Sequence, residues 1–282
     1  MADLKKDIKL MKSIFDGKED CYDQIYPRPT EDMERVLDYV DMSNKDVYGV
    51  LASSEIVFQS KLRGANSIRT FDINPLTYRY FFFRKWLLEQ GYAYADGLKR
   101  LEILDIIDKH IITENIDEEE SVEFWKKHIK IREKQSTFSD QFFNFYAAYF
   151  FQPVGHKYPI SYENKIEQLV EMLKSFELEF DCLDICQPLE DLEEKYDIVY
   201  LSNILDLKSD TTVVRDNLYN LLKKDGCVIC TNIKNPPYGF NPFGWQQKTF
   251  SDKFDYEELF IDTPGLIKNA DNQIKYYRYI KK

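Results

Sequence analysis

Asp46-Val-Tyr-Gly-Val-Leu-Ala-Ser-Ser-Glu-Ile-Val-Phe-Gln-Ser-Lys-Leu-Arg-Gly-Ala-Asn-Ser-Ile-Arg-Thr-Phe-Asp-Ile-Asn-Pro75 decides the reading of the chain. Val47 to Leu51 is a short apolar run of buried-strand length. Ala52, Ser53 and Ser54 are small, as a tight turn requires. Glu55 opens a segment in which Ile56, Phe58 and Leu62 share one helical side. Gly64, tolerant of positive φ, stops it. Ser67 to Phe71 is a second strand, with Asp72 at its C-terminal end. The pattern is strand, turn, helix, strand: the first βαβ unit of a nucleotide-binding sheet. Small turn residues let backbone approach a ligand, and an acid about 20 residues later accepts hydrogen bonds from ribose hydroxyls. A plain βαβ unit would instead use Asp72 to cap the turn at Asn74-Pro75.

Outward from this stretch the chain divides in three. Residues 1–45 are a charged helical lead-in, with Thr30 placed to cap a helix from Glu31 to about Val40. Residues 76–175 read as a helical insertion. Thr77 to Gln90 is strongly aromatic, Leu98 to Ile112 is a second helix, and a third starts at the acids Asp117 to Glu120. Asp140 to Phe151 is apolar almost all round, and Glu163 to Ser175 is amphipathic. The α/β pattern resumes over 176–282. Strands are expected at Phe176 to Leu183, Tyr196 to Leu201 and Cys227 to Thr231, with a helix from Thr211 to Lys224 stopped by Asp225-Gly226. Phe254 to Phe260 and Ile274 to Ile280 read as a closing antiparallel pair.

The 282 residues are 44 % hydrophobic and 31 % charged, enough for a sizeable core. The net charge of −11 argues against nonspecific binding to nucleic acid or anionic membrane. Five cysteines, an odd number, and a charged N-terminus without an apolar signal segment lead us to expect a reducing, cytoplasmic setting. No run approaches the roughly 20 apolar residues of a membrane span. Cys227 and Cys230 sit three apart in a strand and so point to opposite faces. Cys182 and Cys186 lack a histidine pair, so no metal is expected. His156, in a Pro-Gly loop, is the one histidine kept as a candidate base.

The order strand, helix, strand-Asp72, strand-Asp184, strand-Ser202-Asn203, helix, strand, hairpin is similar to the class I S-adenosylmethionine-dependent transferases. The resemblance implies a three-layer Rossmann-like α/β sheet interrupted by the insertion, which would form the acceptor pocket or a lid. In that family the first turn cradles the methionine part, the acid after strand two binds the ribose, and an acid after strand three meets the adenine. A polar residue after strand four faces the reacting centre. By resemblance these roles fall on Ala52, Ser53, Ser54 and Glu55, on Asp72 and Asn74, on Asp184 and Ile185, and on Asn203. Tyr26 would approach the sulfonium by cation–π attraction, or simply pack.

Asp72-Ile-Asn-Pro75, the Leu201-Ser-Asn203 segment and the Ile25-Tyr-Pro27 lead-in narrow the resemblance. They look like the branch containing the aminocarboxypropyltransferases of betaine-lipid synthesis and uncharacterised bacterial relatives. That branch shows Ser-Gly-Asp or Gly-Gly-Asp where this chain has Ser53-Ser54-Glu55. The implied activity is transfer of a methyl or 3-amino-3-carboxypropyl group from S-adenosylmethionine to a small or lipid-like acceptor. A binding or scaffold protein on the same fold is the alternative that the altered turn suggests. Asn235-Pro-Pro-Tyr238 matches the motif of amino-group methylases, but here it follows the strand read as the fifth, not the fourth.

Overall fold

The computed structural model describes residues 33–92, 100–109, 116–135, 163–189, 195–202, 204–207, 211–233, 249–259 and 274–282. Two compact units partition the chain. One comprises the described residues of 51–55 and 74–176; the other comprises those of 33–50, 56–73 and 177–282.

The second unit carries a seven-stranded sheet in the order β3-β2-β1-β4-β5-β7-β6. Its strands are β1 (Asp46–Val50), β2 (Ser67–Asp72), β3 (Glu179–Cys182), β4 (Tyr196–Ser202), β5 (Leu222–Ile233), β6 (Phe254–Leu259) and β7 (Ile274–Lys281). The first five run parallel, and β7 inserts antiparallel between β5 and β6. Central strands of such a sheet are covered on both faces and read as unbroken apolar runs. Val47, Ile198, Val199, Val228 and Ile229 are all buried accordingly.

Helix α1 (Met33–Asp38) precedes β1 and helix α2 (Glu55–Leu62) follows it. Gly49 of β1 lies close against α2. A Cβ there would lie 2.9 Å from Cγ1 of Ile56, which is buried and stiff at its branched Cβ. Glycine thus serves close helix–strand packing from within the strand. Gly64 ends the segment at φ 76.

Arg69 of β2 holds Asp181 of β3 with two hydrogen bonds of 2.9 Å, and the Tyr48 hydroxyl of β1 donates to the same carboxylate at 3.1 Å. This fork ties the three strands at the β3 edge. Burial and the neighbouring Asp181 push the Tyr48 hydroxyl well above the usual phenol range. At the opposite strand ends, Lys223 lies 2.6 Å from Asp46 and 2.8 Å from Asp197. Asp46 also accepts from Asn66 and Ser67 at 2.7 Å.

Two expectations shift. The helix expected over Thr211 to Lys224 ends earlier: α7, the last helix, is Thr212–Leu221, and Leu222 already extends into β5. Lys281 donates to the carbonyls of Tyr219 and Leu222, supplying the C-terminal partners a helix end needs. Asp225 at φ 62 and Gly226 then form a bulge against β4 rather than a helix stop. Strand β3 is shorter than expected because it pairs only with Arg69 to Asp72, and the Phe176 amide closes the preceding helical turn instead.

In the first unit the described helices are α3 (Leu76–Glu89), α4 (Arg100–Lys109), α5 (Ile116–Gln135) and α6 (Ile166–Leu173), the last entered through a 3-10 turn at Glu163–Lys165. Tyr80, Phe83, Trp86, Leu87, Ile103, Ile107 and Trp125 belong to one buried cluster. Each such side chain contributes about 1.5–3 kcal/mol on burial. The aromatic character of α3 is core-building: 13 of its residues are buried. Three of them are cations, and each meets an acid, as burial demands: Arg79 with Glu120, Arg84 with Glu55, and Lys85 with Glu118. Among the described residues no helix is long and apolar enough to cross a membrane. The segment Asp140 to Phe151 lies outside the described residues.

Candidate functional site

The parallel strands bring the ends of β1 to β4 to one edge of the sheet, the edge at which α/β folds bind ligands. Asp72 closes β2 there, opposite Cys182 of β3, and is buried. Its carbonyl accepts from the Leu183 amide at 3.1 Å, so the start of the loop after β3 is pinned beside it. Ile73, the next residue, is 55 % exposed.

The loop after β3 is built by two polar side chains. Asp184 accepts from the Cys186 amide at 2.9 Å, an Asx turn. Asn217 of α7 donates to the carbonyls of Ile185 and Gln187 at 2.8 and 2.7 Å and accepts from the Leu189 amide at 3.2 Å. Ile185 and Asn217 are both buried. At the end of β4, Ser202 stands at φ 52, a left-handed conformation that non-glycine residues rarely adopt.

The turn that continues β1 belongs to the first unit. Ala52 has φ 39 and Ser54 φ 70. Two left-handed non-glycine residues in five cost of order 1–3 kcal/mol each and persist only where their surroundings fix them. Three contacts fix this turn. The Ser54 amide donates to the Leu51 carbonyl at 2.6 Å. Arg84, completely buried, donates to the Ser53 carbonyl. The same guanidinium lies 3.3 Å from the buried Glu55 carboxylate. The Ser54 hydroxyl is also fully buried, and it finds no hydrogen-bond partner among the described residues. Such an orphan costs about 1–3 kcal/mol unless something else satisfies it.

Asn74 serves as a cap. Its side chain accepts from the Leu76 amide at 3.0 Å, and its carbonyl accepts from the Thr77 amide and hydroxyl at 3.1 and 2.8 Å. Of the expected site residues, Asp72, Asp184 and Ile185 thus meet at the sheet edge, while Ala52, Ser53, Ser54, Glu55 and Asn74 are placed within the first unit. Tyr26, Asn203, His156 and the Asn235-Pro-Pro-Tyr238 motif lie outside the described residues. Sequence reasoning passed over Ile73, Arg84 and Asn217. Ile73 carried a signal, an apolar residue directly after a strand-end acid. Arg84 and Asn217 carried none, because each acts across a distance of about 30 residues.

Five parallel strands in the order 3-2-1-4-5, with a reversed seventh strand between the fifth and sixth, decide the architecture. The chain has the class I methyltransferase fold. Solved structures it is similar to include the N-methyltransferase NodS from Bradyrhizobium japonicum in complex with S-adenosylhomocysteine, at 10 % identity over 88 % of this chain and 83 % of that one, TM-score 0.40. A TehB-like S-adenosylmethionine-dependent methyltransferase from Corynebacterium glutamicum is 9 % identical over 99 % of this chain and 97 % of that one, TM-score 0.45. A ribosomal protein L11 methylase from Lactobacillus delbrueckii is 10 % identical over 89 % and 76 %, TM-score 0.44. No family model and no curated protein matches the chain.

Proposed function

We propose that the chain is an S-adenosylmethionine-dependent transferase that moves a methyl or 3-amino-3-carboxypropyl group to a small or lipid-like acceptor. The observation that carries this reading is Ser54. Left-handed at φ 70 in the turn that leaves the first strand of this fold, this non-glycine residue stores backbone strain of the kind that ligand-binding turns carry. In this reading Asp72 accepts from the ribose hydroxyls and the Asp184-Ile185 segment takes the adenine. The turn from Ala52 to Glu55 takes the amino-acid end, with Asn74 holding the chain after β2 by its cap. The bound cofactor would supply an electrophilic carbon on a positively charged sulfur, so the protein's part is to place the nucleophile. Asn203 and Tyr26 keep the roles at the reacting centre that the family resemblance implies.

Calorimetric titration with S-adenosylmethionine and S-adenosylhomocysteine, beside Asp72→Ala, tests the reading. Micromolar binding that the substitution weakens by a factor of ten or more is expected, since a buried carboxylate paired to hydroxyls contributes about 1.5–3 kcal/mol. The by-product then separates the two transfers: S-adenosylhomocysteine for methyl, methylthioadenosine for aminocarboxypropyl. Absence of binding at millimolar ligand sinks it. The second reading, a binding protein on the same fold, is favoured by one observation: the Glu55 carboxylate is engaged by Arg84 inside the first unit.

A further inference from the structure

We infer that Arg84 is a positioning residue for the cofactor turn: its guanidinium grips the chain on both sides of Ser54 and holds that residue left-handed. The inference rests on the transferase reading above. Arg84 contacts the Ser53 carbonyl and the Glu55 carboxylate, one residue before and one after the strained position. Arg84, Ser53, Ser54 and Glu55 are all buried, and Arg84 issues from α3. At φ 70 Ser54 carries a steric penalty that a glycine there would not. An external clamp replaces the missing conformational freedom. The planar, five-donor guanidinium suits a carbonyl and a carboxylate at once, whereas a lysine ammonium is a point charge on a flexible stem.

The test is titration of S-adenosylhomocysteine into the parent, Arg84→Lys, Arg84→Met and Arg84→Met/Ser54→Gly, with a thermal melt of each. Arg84→Met is expected to lose about tenfold in affinity or more. Arg84→Lys, which keeps the charge opposite Glu55 but not the fork, is expected to lose less. Ser54→Gly in the Arg84→Met background is expected to regain at least half of the logarithmic loss, because glycine adopts the turn without a clamp. A merely structural arginine would give no such rescue. Affinity of Arg84→Met within about twofold of the parent, or a loss the glycine does not relieve, overturns the assignment and leaves the transferase reading standing. If Arg84→Met does not fold, parent-like affinity of Arg84→Lys overturns it. Failure of the parent itself to bind overturns both.

Discussion

Lys85 and Glu118 form an ion pair of 2.9 Å with both side chains almost wholly removed from water, at 5 % and 1 % exposure. The pair joins α3 to α5. Removing one member of a buried pair strands the other charge, so Lys85→Met should cost about 3–5 kcal/mol. Replacing both, as in Lys85→Met/Glu118→Leu, should recover much of that loss, because desolvating the ions already cost a large part of their attraction. Urea denaturation of the single and double variants checks this; a double variant no more stable than Lys85→Met would refute it.

Glu89 sits beside this pair, 3.8 Å from Lys85. Burial, then the nearby Glu118 charge, pushes its carboxyl up to about 7 against the opposing pull of Lys85, with Lys174 the more distant cation. A carboxyl whose folded-state value is raised binds its proton more tightly in the native protein. Its contribution to stability is therefore present at low pH and is lost as pH rises from the unfolded value of about 4.5 through about 7. Glu89→Gln should flatten the stability profile across that window, read from melting temperature against pH. An unchanged slope would rule the account out.

Asp46 behaves in the opposite sense. Hydrogen bonds from Lys223, then from Asn66 and Ser67, pull its carboxyl down from 3.8 to about 2. The stability it confers is complete above pH 3.8 and disappears as pH falls through about 2. Asp46→Asn should weaken the protein by about 1–2 kcal/mol at neutral pH, less than a fully buried charged hydrogen bond, because Lys223 is well exposed. Its acid-unfolding curve should be shallower than the parent's between pH 3.8 and 2. Equal acid limbs would contradict the arrangement.

Asn217 spends its side chain on three backbone groups of the loop after β3. Asn217→Ala should cost about 1–3 kcal/mol. Amide exchange should accelerate over Leu183–Leu189 while remaining slow in β1 and β4, and S-adenosylhomocysteine affinity should fall with it. Uniform exchange changes over the whole sheet would indicate global destabilisation and sink the local account.

The parallel half of the sheet was legible because its period and punctuation agree. Val47 to Leu51 and Tyr196 to Leu201 are apolar runs bounded by breakers, and Asp72 falls at a strand end. The closing hairpin was legible for the same reason. What stayed hidden was whatever depends on partners distant in sequence. The α7 terminus is set by Lys281, some 60 residues away, and not by Asp225-Gly226. Glu55 was expected at a ligand because of its position in a motif; its ion pair with Arg84 is visible only in the tertiary contacts, whereas the Asn74 cap is a local turn. Nothing in the aromatic run of α3 announced its buried cations; Glu55, Glu118 and Glu120, distant in sequence, make them core residues.

The exposure of Ile73 between two buried polar neighbours has a calorimetric consequence. A ligand that stacks over this side chain removes apolar area from water, and that removal carries a negative heat-capacity change. Its binding enthalpy must then grow more exothermic as the temperature is raised, and Ile73→Ser must reduce that slope. A ligand held only through the carboxylate of Asp72 would leave the slope untouched.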